Sequence, residues 1–134
     1  GAFFFKRDSE VEDRVNEVAK VIYLDNLLDQ SAAALSHGQK QWLEIGMLLI
    51  QDPSLMMLDE PVAGMTLNER KKTAELLNKI IEGRSVVVIE HDMNFVRQIA
   101  RWVTVMHQGK VLSEGLMADV QKDPQVIEVY LGHS

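Results

Sequence analysis

The chain is expected to fold as an α/β domain, because two short apolar runs, each closed by polar residues, alternate with a helical segment. Leu55-Met56-Met57-Leu58 runs into Asp59-Glu60, and Val86-Val87-Val88-Ile89 runs into Glu90-His91-Asp92. Residues 67–82 between them have helical character, so strand, helix and strand follow one another as in a parallel sheet. Continuous apolar runs of this length suit strands covered on both faces. Ligands of open α/β sheets sit at the carboxyl ends of the strands, where both polar clusters fall.

The other elements follow from periodicity and punctuation. Val11, Val15, Val18 and Ile22 recur at helical spacing among charged residues, which predicts an amphipathic helix over 9–24. Residues 25–34 read as loop. A second helix is predicted from Ser36, with Leu43, Met47 and Ile50 as its apolar stripe and Pro53 as its stop. The third helix opens on Thr66-x-x-Glu69, a capping-box pattern, and ends at Gly83. A fourth is predicted over 93–100. Residues 103–106 and 110–112 flank Gln108-Gly109 and read as a β-hairpin. The tail, 116–131, reads as two short helices broken by Pro124.

Composition removes several function classes. Hydrophobic residues make up 46% of the 134 positions, enough for a packed globular core. Cysteine is absent, which excludes a disulfide framework and thiolate metal sites. A formal charge of -6 argues against a general nucleic-acid binder. Arg70-Lys71-Lys72 is the one dense basic cluster and reads as a solvated helix face. No apolar run approaches the roughly 20 residues of a membrane-spanning helix. Ala2-Phe3-Phe4-Phe5 precedes Lys6-Arg7 and is too short for a signal-peptide core. That cluster suits either a protein contact or an ordinary packing edge. A chain opening on Gly1 is expected to have an internal start.

Three places carry chemistry. Leu35-Ser36-His37-Gly38-Gln39 combines a serine cap with a first-turn glycine. Glycine there costs up to about 1 kcal/mol relative to alanine, so its presence suggests that another group approaches the backbone closely. Free N–H groups at a helix start suit a phosphate, whereas Ser36-x-x-Gln39 by itself is also a plain capping box. Asp59 and Glu60 end an apolar strand, with Pro61 forcing a loop. Successive strand residues point to opposite sides, so one carboxylate can hold Mg²⁺ through water while the other orients or deprotonates water. The plain alternative is an acidic exit from the strand. His91 ends the second strand at what would be the same edge. Glu90, His91 and Asp92 are consecutive, so their side chains diverge and do not suit one metal ion.

Taken together, these elements resemble the ATP-binding subunit of ABC transporters. Residues 35–39 are similar to the Leu-Ser-Gly-Gly-Gln signature with His37 in place of the first glycine, residues 55–60 to the Walker B strand, and His91 to the switch histidine. The resemblance implies the C-terminal part of a P-loop NTPase (ABC ATPase) domain with its helical signature subdomain. Residues 1–52 would be part of that subdomain, and 53–134 the C-terminal half of the ATPase core. It implies ATP and Mg²⁺ as ligands: Ser36, His37, Gly38 and Gln39 toward nucleotide, Asp59 toward Mg²⁺ through water, Glu60 polarising the attacking water, and His91 sensing the γ-phosphate. The implied partners are a second ATP-binding subunit, identical or not, transmembrane permease subunits and, indirectly, a periplasmic solute-binding protein. No nucleic acid is among them. The implied location is the cytoplasmic face of a bacterial inner membrane, held peripherally.

Residues 35–46, 61–66 and 126–132 are similar to urea importer ATPases, with branched-chain amino acid importers as close relatives, so import of urea is expected first and of amino acids second. The sequence also departs from the family. No stretch reads G-x-x-x-x-G-K-[ST], the glutamine loop is missing, and Thr66 stands near the family's usual loop aspartate. Phosphoryl transfer depends on positioning and charge neutralisation around the phosphates, so this polypeptide alone is expected to turn over no ATP. Without the Walker A strand, a slot of about 9–10 Å, twice the strand spacing, is expected between the two sheet halves, to be closed by rearrangement or association. Two further readings compete: a non-catalytic interaction module, and a soluble ABC-type ATPase of DNA repair or translation, which would want a coiled-coil insertion or a basic face.

Overall fold

The computed structural model describes residues 9–131, so the Ala2-Phe3-Phe4-Phe5 cluster and Gly132 lie outside the described residues. The chain divides into two compact units, residues 1–89 and 90–134. The boundary expected at 52/53 falls inside the first of them.

In the first unit the order is α1 (Ser9–Val21), α2 (His37–Leu49), β1 (Leu55–Asp59), α3 (Leu67–Ile80) and β2 (Ser85–Ile89), with short 3₁₀ turns at Asp25–Leu27 and Ala32–Ala34. The α/β expectation holds: β1 and β2 pair in parallel, with Met57 opposite Val87 and Asp59 opposite Ile89. α1 stops earlier than predicted because Tyr23 turns left-handed, at φ 64°. Leu24 N–H then donates to the Ala19 carbonyl and Tyr23 N–H to that of Lys20, a Schellman closure that satisfies the last carbonyls.

Two predicted apolar stripes are corrected. On α1 only Val18 and Ala19 are buried, followed by Ile22 and Leu24, while Val11 and Val15 are exposed. On α2 the buried face is Trp42, Ile45, Gly46 and Leu49, and the expected Met47 and Ile50 are exposed. Both α2 faces have helical spacing, and the tertiary contact chooses between them. A Cβ on Gly46 would lie 2.5 Å from Ile22 Cδ1, so a residue with no hydrophobic side chain marks the packed side.

Strands buried on both faces are also corrected. Met56 and Leu58 are buried, but Leu55, Met57, Val87 and Ile89 on the alternate face are exposed. Side chains alternate across a strand, and among the described residues of this unit nothing covers that second face.

A buried polar bridge ties α2 to α3. Trp42 Nε1 donates to Thr73 Oγ1 at 2.9 Å, and the Thr73 hydroxyl donates to the Glu69 carbonyl at 2.7 Å. Thr73 is wholly buried, so each polar atom needs its partner. The Tyr23 ring meets Trp42 edge-on, with centroids 5.3 Å apart.

The second unit holds α4 (Met93–Ile99), β3 (Trp102–His107), β4 (Lys110–Leu116), α5 (Met117–Val120) and α6 (Pro124–Val126), followed by a π turn at Ile127–Leu131. β3 and β4 pair antiparallel, as the hairpin reading expects. Gln108 and Gly109 both take positive φ, 49° and 76°, the primed turn that matches strand twist. One core cluster of this unit is Val105, Val120 and Val126, with Val103 and Leu112 against it, and Phe95 and Met117 are buried as well.

Candidate functional site

Within the first unit, α2 begins as its sequence directs. Ser36 Oγ accepts from Gln39 N–H at 3.2 Å, and Gln39 Oε1 accepts from Ser36 N–H at 2.9 Å. Both halves of the capping box are formed, so Gln39 holds the helix start. A hydroxyl that accepts one bond still has its proton to donate. Ser36 and His37 are exposed.

Gly38 is buried, and the group that comes close to it is Glu69. A Cβ at Gly38 would lie 2.7 Å from Glu69 Cδ and nearer still to one carboxylate oxygen. The close approach anticipated from the glycine is therefore filled from inside the chain. Glu69 also caps α3: its Oε1 accepts from Thr66 N–H at 3.0 Å, while Thr66 Oγ1 accepts from Glu69 N–H at 3.1 Å. Thr66 is thus the cap of α3.

The carboxylate pair stands at the end of β1. Asp59 is exposed and shares a groove of about 260 Å³ with Gln41, Glu44, Leu48 and Met57. Glu60, also exposed, has left β1 and takes a left-handed backbone at φ 47°. Non-glycine residues rarely adopt that region, and such strain clusters at functional sites. Glu60 N–H donates to the Ile89 carbonyl at 2.8 Å, which fixes the turn to the end of β2. The loop folds back by two turns: Ala63 N–H donates to Glu60 O and Met65 N–H to Val62 O, at 3.2 and 3.1 Å. His37 Nε2 then reaches the Ala63 carbonyl at 2.8 Å. One unit thus brings together residues 36–39 of α2, the Asp59-Glu60 pair and the loop after it.

His91 lies in the second unit. Its side chain is largely exposed, with Nδ1 3.5 Å from Glu90 Oε1. The Glu90 side chain is buried, and its Oε1 accepts the backbone N–H of both His91 and Asp92, at 3.0 and 3.2 Å. Asp92 caps α4 through Phe95 N–H. Glu90 and Asp92 therefore serve the local backbone, while the His91 side chain between them stays largely exposed. Among the described residues no group of three or more His, Cys, Asp or Glu is placed to hold a metal ion.

Sequence reasoning missed Glu69 as the neighbour of Gly38, and Ala63 and Gly64 as those of His37. The capping-box pattern located Glu69, but its second carboxylate oxygen had no signal, because that contact is made between helices. A backbone carbonyl such as that of Ala63 leaves no signal at all.

Two family models match the chain: one described as ABC transporter over residues 4–63, and one described as branched-chain amino acid ATP-binding cassette transporter over residues 110–134. The chain is 31% identical over 133 residues to the probable branched-chain amino acid transport ATP-binding protein LivG of Archaeoglobus fulgidus, covering 96% of this chain and 51% of that protein. It is 32% identical over 133 residues to the high-affinity branched-chain amino acid transport ATP-binding protein LivG of Escherichia coli, covering 98% of this chain and 52% of the relative. The chain thus spans about half the length of the relatives it matches.

Among solved structures, the ATP-binding cassette MJ1267 superposes with a TM-score of 0.84 at 26% identity, over 98% of this chain and 54% of that one. The cbiO1 protein of Clostridium perfringens, part of the transporter complex cbiONQ, gives 0.80 at 28% identity over 93% and 51%. The fold is that of part of an ABC ATPase domain, as expected. These LivG relatives are named for branched-chain amino acids, the second of the two expected solutes, and not for urea.

Proposed function

We propose that this chain is the C-terminal part of the ATP-binding subunit of an ABC importer for branched-chain amino acids. The observation that carries this reading is the placement, in one compact unit with an ATP-binding-cassette fold, of a capped helix start at residues 36–39 and a strand ending in Asp59 and Glu60.

In this reading the Ser36 hydroxyl and the first N–H groups of α2 donate to the γ-phosphate of ATP bound to an opposite subunit, an anion that suits a helix start. Gln39 keeps that start in shape, and His37 flanks it. Asp59 suits Mg²⁺, which binds through one or two carboxylates, retained waters and substrate phosphates. The ion, when bound, neutralises charge on the phosphates. Glu60 accepts a hydrogen bond from the attacking water and turns its lone pair toward phosphorus. His91, on its anchored turn, donates to the γ-phosphate. Permease subunits and a second ATP-binding subunit are the direct partners, a periplasmic binding protein the indirect one, and the site of action is the cytoplasmic face of the inner membrane. Among the described residues no helix is long and apolar enough to cross a membrane.

The test is ATP hydrolysis by the subunit that carries this chain, alongside the 134-residue chain alone. The subunit should turn over ATP and lose that activity with Glu60→Gln, while the chain alone should show none. Hydrolysis restored by mixing the chain with a separate Gly-rich-loop fragment supports an enzyme part. Stable binding without hydrolysis would instead indicate an interaction module. Turnover by the chain alone that Glu60→Gln abolishes would refute the expected inactivity. Leucine-stimulated but not urea-stimulated hydrolysis in the reconstituted importer is the expected solute response.

A further inference from the structure

His37 joins two parts of the first unit that stand 26 positions apart in sequence. We propose that His37 is a positioning residue, whose imidazole clamps the start of α2 to the loop after Glu60 and so holds the phosphate-facing cap and the carboxylate pair at a fixed spacing. The proposal rests on the functional reading above and assigns a specific part of it to this side chain.

The clamp is the last link of a continuous relay. Glu60 N–H donates to Ile89 O at 2.8 Å, Ala63 N–H to Glu60 O at 3.2 Å, and His37 Nε2 to Ala63 O at 2.8 Å. A carbonyl only accepts, so Nε2 carries the proton, as it does in one neutral tautomer and in the imidazolium. Packing reinforces the contact: a Cβ on Gly64 would lie 3.1 Å from both His37 Cδ2 and Nε2, and Gly64 has φ +72°. Gly64 thus serves twice, by its backbone and by leaving room for the ring.

The neighbours of His37 show what the clamp positions. Ser36, one residue before, carries the capping hydroxyl, and Gly38, one residue after, is held from the other side by Glu69. The first turn of α2 is therefore fixed by α3 on one flank and by the loop of residues 61–65 on the other. A glycine at position 37, as in the signature this stretch resembles, has no side chain with which to make the bond.

Two substitutions test this. His37→Leu removes the donor and keeps comparable bulk, whereas His37→Gln places an amide Nε2–H at a similar reach. In the 134-residue chain, His37→Leu should speed hydrogen exchange of the Ala63 and Met65 amides by about tenfold, with His37→Gln within about twofold of the parent. In the ATPase that carries this chain, His37→Leu should lower kcat about tenfold with KM for ATP within about twofold, and His37→Gln should restore most of kcat.

Unchanged exchange in His37→Leu, or a Gln variant as fast as Leu, overturns the clamp. Faster exchange with unchanged kcat overturns its part in turnover. A parent protein without ATPase activity overturns the functional reading itself, and with it the role in turnover, while exchange still reports the clamp.

Discussion

The carboxylate of Glu69 lies against Gly38, in the space that a methyl group on this glycine would need. Two helix starts are thereby interlocked, because the same carboxylate completes the capping box of α3. Trp42 and Thr73 repeat the association one turn further along each helix.

Gly38→Ala should therefore destabilise the chain, although alanine is the better helix former by about 1 kcal/mol. The new methyl group displaces Glu69 and breaks the α3 cap, with an expected net loss of about 1 kcal/mol. Glu69→Ala should cost a similar amount, and the double variant should be no worse than Glu69→Ala alone. Denaturant unfolding of the four proteins gives the coupling, and strict additivity would show the two residues to be independent.

Thr73→Val keeps the shape and removes both the acceptor of Trp42 Nε1–H and the donor to the Glu69 carbonyl. The Glu69 carbonyl keeps its helical bond from the Thr73 backbone N–H, so the cost falls on the buried Trp42 Nε1–H, whose loss of partner should cost about 1–3 kcal/mol in denaturant unfolding. Thr73→Ser, which keeps the hydroxyl, should cost less.

Tyr23 gives a pH dependence. Burial first, and the neighbouring Glu75 second, raise its pKa above the ordinary value of 10.0. The folded state thus keeps the phenol proton at pH values where the unfolded state releases it. This contribution to stability is fully present below pH 10 and is lost as pH rises through the folded pKa. Tyr23→Phe should flatten the decline in unfolding free energy above pH 10 relative to the parent. Equal slopes in the two proteins would remove Tyr23 as the cause.

The hairpin offers a stabilising change. Gln108 holds a left-handed backbone at φ 49°, which asparagine adopts more readily, and Asn-Gly is a favoured primed-turn pair. Gln108→Asn should stabilise the second unit by about 0.5 kcal/mol, and Gly109→Ala should destabilise it, both read by thermal unfolding.

Much of this was legible locally. Capping boxes at Ser36 and Thr66, the turn at Gln108-Gly109 and the helix stop at Gly83 depend on a few adjacent residues, and each formed where its pattern lies. The stripe on α2 was misread because two faces of one helix share the same period, and the choice was made by Ile22 packing on Gly46. Strand burial was misread for a related reason: an apolar run shows that a strand could be covered twice, not that it is.

The amino-acid sequence alone determined the order of strands and helices, the caps, and the residue types at the candidate site, because these follow from backbone preferences and neighbours within a turn. Tertiary structure alone decided that Glu69 fills the space beside Gly38, that His37 turns to Ala63, and which α2 face is buried. Those outcomes depend on groups far apart along the chain, and such distances exist only once the helices have packed.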